Sequence, residues 1–205
     1  MEGLPEENDR IEIVTGLIMA FAGVVTSWCG YQAALWSGQQ SALYTQANTL
    51  SVQASRDANS AGQWALVDIT FFAQWSNAIG EQNLKLARFY EERFRPEFLR
   101  AFLAWKKDPK TYGTPFHQPE YNLIKGDEAL KLETKSRETY LQGEEANHIS
   151  DGYVRSTVLL AVVLMLVSNI QDFRKKGVRY GLLGVAGILL GYVIFHVASS
   201  PMLFM

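Results

Sequence analysis

At 205 residues the chain suits one domain, or a small domain on membrane anchors, and its net charge of -2 excludes the broad basic surface that nucleic acid requires. A mean hydropathy of -0.05 conceals strong segregation, with apolar runs at both ends and a charged middle. The single cysteine, Cys29, rules out an internal disulfide framework and reads as a buried, inert thiol.

Residues 1–12 form a short acidic lead (Glu2, Glu6, Glu7, Asp9 against Arg10). That is a poor signal-peptide start, so the first apolar run, residues 13–29, is expected to be a retained transmembrane helix. It carries Gly16, Ala20, Gly23, Ser27, Gly30 and Ala34 at alternating spacings of four and three, which puts small residues on one face. Such a face lets another helix backbone come close, either one of the chain's own or a second subunit's. Trp28, Tyr31 and Trp36 mark the water boundary, where amphipathic rings prefer to sit.

From Ile13 to Ser55 there is no Asp, Glu, Lys, Arg, His or Pro. The stretch predicts one continuous helix, roughly 65 Å long at 1.5 Å per residue, that leaves the membrane. A heptad repeat follows: Gln40, Ala47, Ala54, Ala61, Asp68 and Trp75 on one register, and Leu43, Leu50, Asp57, Trp64, Phe71 and Ala78 on the other. Small Ala facing Leu permits a close helix pair, so Leu43, Ala47, Leu50 and Ala54 are the predicted oligomer seam. Gln32, Gln39, Gln46 and Gln53 form an amide ladder beside it, either a solvated flank or the lining of a wet axis. Asp57 and Asp68 interrupt the registers and are the best candidates for a buried polar role, with capping or register-setting as the plainer alternative. A bend is expected near residues 57–62.

Residues 63–79 are apolar again, but Asp68 in their middle favours a buried soluble helix over a span. Charges recur at helical spacing from Glu81 to Arg95, and Pro96 marks a break. Phe94, Phe98, Phe102 and Trp105 make an aromatic face around it. The irregular run from Asp108 to Glu120, with Pro109, Gly113, Pro115 and Pro119, predicts the tip of a helical hairpin. Residues 121–151 read as a charged returning helix, which closes a helical extramembrane domain over 30–153.

A second span covers 154–170, with Arg155 placed to snorkel at its outer end. A basic turn covers 171–177. A third span covers 178–198, where Gly181, Gly184, Gly187 and Gly191 offer a second small-residue groove. Arg174, Lys175, Lys176 and Arg179 beside two membrane ends place the turn in the cytoplasm and the helical domain outside. The fold class is therefore all-α: three transmembrane helices with a helical-hairpin or coiled-coil extramembrane domain.

No phosphate-loop, paired-cysteine or His-Glu-x-x-His pattern is present, and His117, His148 and His196 are dispersed. Glu91-Glu92 and Glu144-Glu145 are sequence neighbours that point apart on a helix. No catalytic, cofactor or metal residue is assigned, and no cofactor is expected.

The layout, with Trp28-Cys29-Gly30-Tyr31-Gln32-Ala33, Trp36-Ser37-Gly38, Arg93-Phe94-Arg95-Pro96-Glu97-Phe98, Pro115-Phe116 and Pro119-Glu120-Tyr121, resembles a family of uncharacterised bacterial three-span membrane proteins. That resemblance implies the bacterial inner membrane and no particular activity. The expected partners are membrane lipid and either further copies of the chain or a larger membrane complex, with no nucleic acid. The expected function is a non-enzymatic scaffold or accessory subunit. The alternative is a pore or transport component lined by the uncharged helix, against which no span holds a charge at mid-depth.

Overall fold

A computed structural model describes residues 5–173 and 175–204, with side chains from Ile11 onward; the first residues of the acidic lead and Arg174 of the basic turn lie outside the described residues. Among the described residues six α-helices follow one another: α1 (Pro5–Gly80), α2 (Leu84–Glu91), α3 (Pro96–Lys107), α4 (Pro109–Tyr112), α5 (Ile124–Ser168) and α6 (Lys176–Ser199). Single 3-10 turns occupy Pro115–His117 and Ile170–Asp172, and no strand occurs among the described residues. Three of the helices, α1, α5 and α6, are long and apolar enough to cross a membrane. The chain divides into two compact units, Met1–Thr45 with Thr139–Met205, and Gln46–Glu138.

In the first unit, the early part of α1, the later part of α5 and α6 pack around one core. Ala22, Cys29 and Ala33 of α1 meet Tyr153, Leu160, Val163 and Val167 of α5, together with Ala186, Val193 and Val197 of α6. The α1–α5 approach is close: the Ser150 hydroxyl donates to the Ala33 carbonyl at 3.0 Å while fully enclosed. Gly143 makes another such approach, since a Cβ there would stand 2.6 Å from the Tyr44 ring. Tyr44 in turn stacks on Tyr140 at 5.0 Å between centroids. The Arg179 guanidinium closes the turn before α6 by donating to the Phe173 carbonyl at 2.7 Å and the Gln171 carbonyl at 3.1 Å.

In the second unit α1 stays helical without interruption through residues 57–62. The polar side chains there are satisfied without opening the backbone ladder. Ser60 donates to the Arg56 carbonyl at 2.9 Å, and Asp57 pairs with Lys125 at 3.3 Å. The buried stripe of α1 is the first predicted heptad register: Ala47, Ala54, Ala61, Asp68 and Trp75 are all enclosed. Small residues at Ala47 and Ala61 let α5 lie close, so that Ser136 donates to the Ala47 carbonyl at 2.7 Å and Gly126 comes against Ala61.

The chain reverses earlier than expected. α1 ends at Gly80 in a Schellman motif: the Gln82 amide bonds Ile79 O at 3.0 Å and the Asn83 amide bonds Ala78 O at 2.9 Å. Gln82 supplies the left-handed residue, with φ at 59°. Asn83 then caps α2, its side chain accepting from Leu86 N at 3.1 Å. Pro96 is the first residue of α3, with Glu97 in the first turn and Lys106 and Lys107 in the last, an order that suits the helix dipole. The run from Asp108 to Glu120 does not form the turn-back of α1. It is organised by α4 and the 3-10 turn and brings Phe116 to 5.6 Å from Phe72, so burial of that ring holds the loop against the unit's core.

That core is aromatic. Phe72 sits at its centre, stacked on Trp75 at 5.7 Å and edge-to-face with Phe98, Trp105 and Phe116. Phe98 and Phe102 are fully buried. Each such ring stabilises the fold by about 1.5–3 kcal/mol through burial, and edge-to-face pairs add about 0.5–1.5 kcal/mol.

Candidate functional site

Two places in the molecule concentrate polar or conformational information. The first is the buried carboxylate of Asp68, the interrupted register position singled out in the sequence. Arg95 reaches it because Pro96 holds the preceding residue extended (φ -59°, ψ 146°), outside the helix that follows. The guanidinium then forms a two-pronged pair, Nε to Oδ1 at 3.0 Å and Nη2 to Oδ2 at 2.8 Å. Tyr121 donates its hydroxyl to Oδ2 at 3.2 Å, and Glu97 takes the outer Nη1 at 3.3 Å. The Trp64 ring lies 5.0 Å from the guanidinium carbon.

The Asp68 side chain is 1% exposed, so its charge has no water and depends wholly on these partners. The hydrogen bond with Asp68 raises the Arg95 pKa above its ordinary value. Burial first, and the Asp68 charge second, push the Tyr121 hydroxyl up to about 12, so it stays protonated and donates. The carboxylate accepts three hydrogen bonds, two from Arg95 and one from Tyr121. It fixes which face of α1 meets α3 and the segment leading into α5. The surrounding cleft, about 490 Å³ over Trp64, Asn122 and Lys125, opens on the partners and not on the carboxylate.

The second place is the surface of the long apolar helices. Gly16 and Gly23 of α1, and Gly181, Gly184, Gly187 and Gly191 of α6, have nothing within 4 Å of where a Cβ would stand. Ala20 and Ser27 lie on the same exposed side. A Cβ at these glycines would thus meet no other part of the chain. The intrachain contacts go to Thr15, Ala22 and Cys29 on α1 and to Ala186 and Val193 on α6. There, side chains with atoms to bury interlock with Leu160 and Val163, contacts that a glycine has no side chain to make.

Of the predicted seam, Ala47 and Ala54 are covered by α5 within the chain, and Leu43 and Leu50 are half-buried. The amide ladder divides. Gln39, Gln46 and Gln53 are exposed, whereas Gln32 is fully enclosed and grips the C-terminal tail. Its Nε2 donates to Leu203 O and its Oε1 accepts from Leu203 N, both at 2.9 Å. Tyr153 and Trp36 donate to Pro201 O at 3.0 and 3.2 Å. Nothing in the sequence announced this clamp beyond the presence of Gln32 among apolar neighbours. The histidines stay apart in role. His117 bonds locally within its turn, His148 is exposed, and His196 approaches Ser156 at 3.4 Å.

No protein family, characterised protein or solved structure matches this chain.

Proposed function

We propose that the chain is an integral membrane protein that works by assembly, as a non-enzymatic scaffold or accessory subunit that self-associates. The observation that carries this reading is the pair of open glycine faces on α1 and α6. Apolar side chains gain little by leaving lipid for a neighbouring helix, so helix association there relies on close packing, and small residues provide it. The most apolar windows of α1 and α6 are each only 17% buried within the chain, which leaves their surfaces for lipid or for a second copy. The uncharged stretch of α1 from Gly30 to Ser55 adds a second surface. Its exposed Gln39, Gln46 and Gln53 can bond to like amides without stranding a charge. In this reading the membrane is a bacterial inner membrane, the turn around Lys175 and Lys176 is cytoplasmic, and the helices over 30–153 are outside.

Cysteine crosslinking in native membranes tests it. Gly23→Cys and Gly184→Cys are expected to give dimers or higher species, while a cysteine at the lipid-facing Leu17 gives fewer. A protein that stays monomeric in mild detergent and yields no crosslinked species at either position overturns the self-association.

A further inference from the structure

A cavity of about 480 Å³ lies between α5 and the C-terminal end of α6, lined by Glu144, Glu145, His148, Arg155, His196 and Ser200 among others. Its α5 wall follows one face of the helix, through Leu141, Glu145, His148, Gly152 and Arg155, and Glu144, although it leaves the helix in another direction from Glu145, also lines it. Gly152 makes the room: a Cβ there would come 3.2 Å from the His196 ring. Among the described residues Glu144, Glu145 and Arg155 have no charged partner. All three are exposed, and charges of both signs on one cavity wall match a ligand that carries both.

The order of the charges is informative. Arg155 stands where the apolar run of α5 begins, and Glu145 lies ten residues before it, roughly 15 Å farther from that run at 1.5 Å per residue. A phosphate next to hydrocarbon with an ammonium farther out is the order of charges in a zwitterionic phospholipid. A phosphate and ammonium about 5 Å apart, each in a contact of roughly 3–4 Å, fill most of that 15 Å. The imidazoles of His148 and His196 stand along the intervening path. Below the cavity Val158 (59% exposed) on α5 and Tyr192 (57% exposed) on α6 continue an apolar surface suited to acyl chains. Tyr192 lies one turn from His196, with ring centroids 6.4 Å apart.

We propose that this cavity binds the headgroup of an aminophospholipid of the phosphatidylethanolamine class, its phosphate at Arg155 and its ammonium at Glu144 and Glu145. The proposal rests on the membrane reading above but not on self-association. Two carboxylates disfavour a purely anionic headgroup, and trimethylation removes the N–H donors that the carboxylates accept.

Native mass spectrometry of the full chain in detergent, titrated with dioleoyl phosphatidylethanolamine, phosphatidylcholine and phosphatidylglycerol, tests it. Phosphatidylethanolamine is expected to bind roughly tenfold tighter than either of the others. The double variant Glu144→Gln with Glu145→Gln, both exposed positions, should erase the preference over phosphatidylcholine. Arg155→Gln should weaken all three lipids. Equal retention of the three lipids, tightest binding of phosphatidylglycerol, or an unchanged preference in the double variant overturns the site. Alkaline carbonate extraction separates the causes. If carbonate releases the protein, the membrane reading and the site fall together; if the protein stays in the membrane without a lipid preference, only the site falls.

Discussion

Gln32 and Leu203, 171 positions apart in sequence, exchange two hydrogen bonds of 2.9 Å, side-chain amide against backbone amide. The pairing copies what a neighbouring strand would offer, and it leaves a fully buried glutamine with both polar ends satisfied. Gln32→Leu keeps the volume but strands the Leu203 amide and carbonyl. A loss of about 1–3 kcal/mol is expected, read as a lower midpoint of thermal unfolding in detergent. Carboxypeptidase should also trim the tail of the variant faster than that of the parent protein. Equal trimming rates and equal midpoints would show that the clamp holds nothing.

At the turn after α1, Gln82 occupies the left-handed position of a Schellman motif at φ 59°. A residue with a Cβ pays roughly 1–2 kcal/mol there, and glycine does not. Gln82→Gly is therefore expected to raise stability by about 1 kcal/mol, since the Gln82 side chain is exposed. A lower midpoint in chemical denaturation counts against this account of the turn.

Gly143 tests the opposite case. A methyl there meets the Tyr44 ring at 2.6 Å, and Tyr44 is already stacked on Tyr140. Gly143→Ala is expected to cost about 1–3 kcal/mol by overpacking. Tyr44→Leu in the same chain should recover part of that loss, because it removes the ring atoms that the methyl strikes. Additive losses in the double variant would mean that the two residues do not touch.

Asp68 and Arg95 form a two-pronged ion pair, two guanidinium nitrogens on two carboxylate oxygens. Asp68→Ala leaves the Arg95 guanidinium with Glu97 as its remaining partner, and a loss of about 3 kcal/mol, the lower end for breaking a buried pair, is expected. Arg95→Lys is not a mild change, because an ammonium cannot reproduce the fork. The Tyr121 hydroxyl adds a pH signature. Its folded pKa, about 12, lies above the ordinary tyrosine value near 10, so the folded state holds this proton more tightly. The stabilisation it gives is complete below about pH 10 and is lost as pH rises through about 12. Stability curves of the parent protein and of Tyr121→Phe should then converge over that window. Parallel curves refute the assignment.

Much of this architecture was legible in the amino-acid pattern, and the parts that were not have physical reasons. The register Ala47, Ala54, Ala61, Asp68, Trp75 is the buried stripe because heptad spacing returns each residue to one face of a helix. The uncharged, proline-free run gave no reason for a break, and α1 has none there. The turn at Gly80–Asn83 was hidden because Glu81 to Arg95 keeps a helical spacing of charges across it, while its left-handed residue is a glutamine. The partner of Asp68 lies 27 positions away and owes its placement to Pro96, a long-range consequence that no local periodicity encodes. The direction of the glycine faces was also hidden. A small-residue stripe specifies close approach but not the identity of the neighbour.

Gly23 and Gly184 stand open within the chain, so a side chain there costs nothing in intrachain contact. Gly23→Ala or Gly184→Ala should leave a monomer as stable as before, or more stable, since alanine is the better helix former by about 1 kcal/mol. Leucine reaches well beyond that Cβ, and between two backbones in close contact it has no room. Gly23→Leu or Gly184→Leu is therefore expected to shift the particle toward monomer in mild detergent. Leu43→Lys and Leu50→Lys probe the uncharged part of α1, where an unpaired ammonium is expected to weaken assembly if that surface is closed by a second copy. Size-exclusion chromatography with light scattering reads both series. Leucine variants that assemble as the parent protein does would assign the glycine faces to lipid. Loss of assembly only in the lysine variants would move the contact from the spans to the uncharged helix.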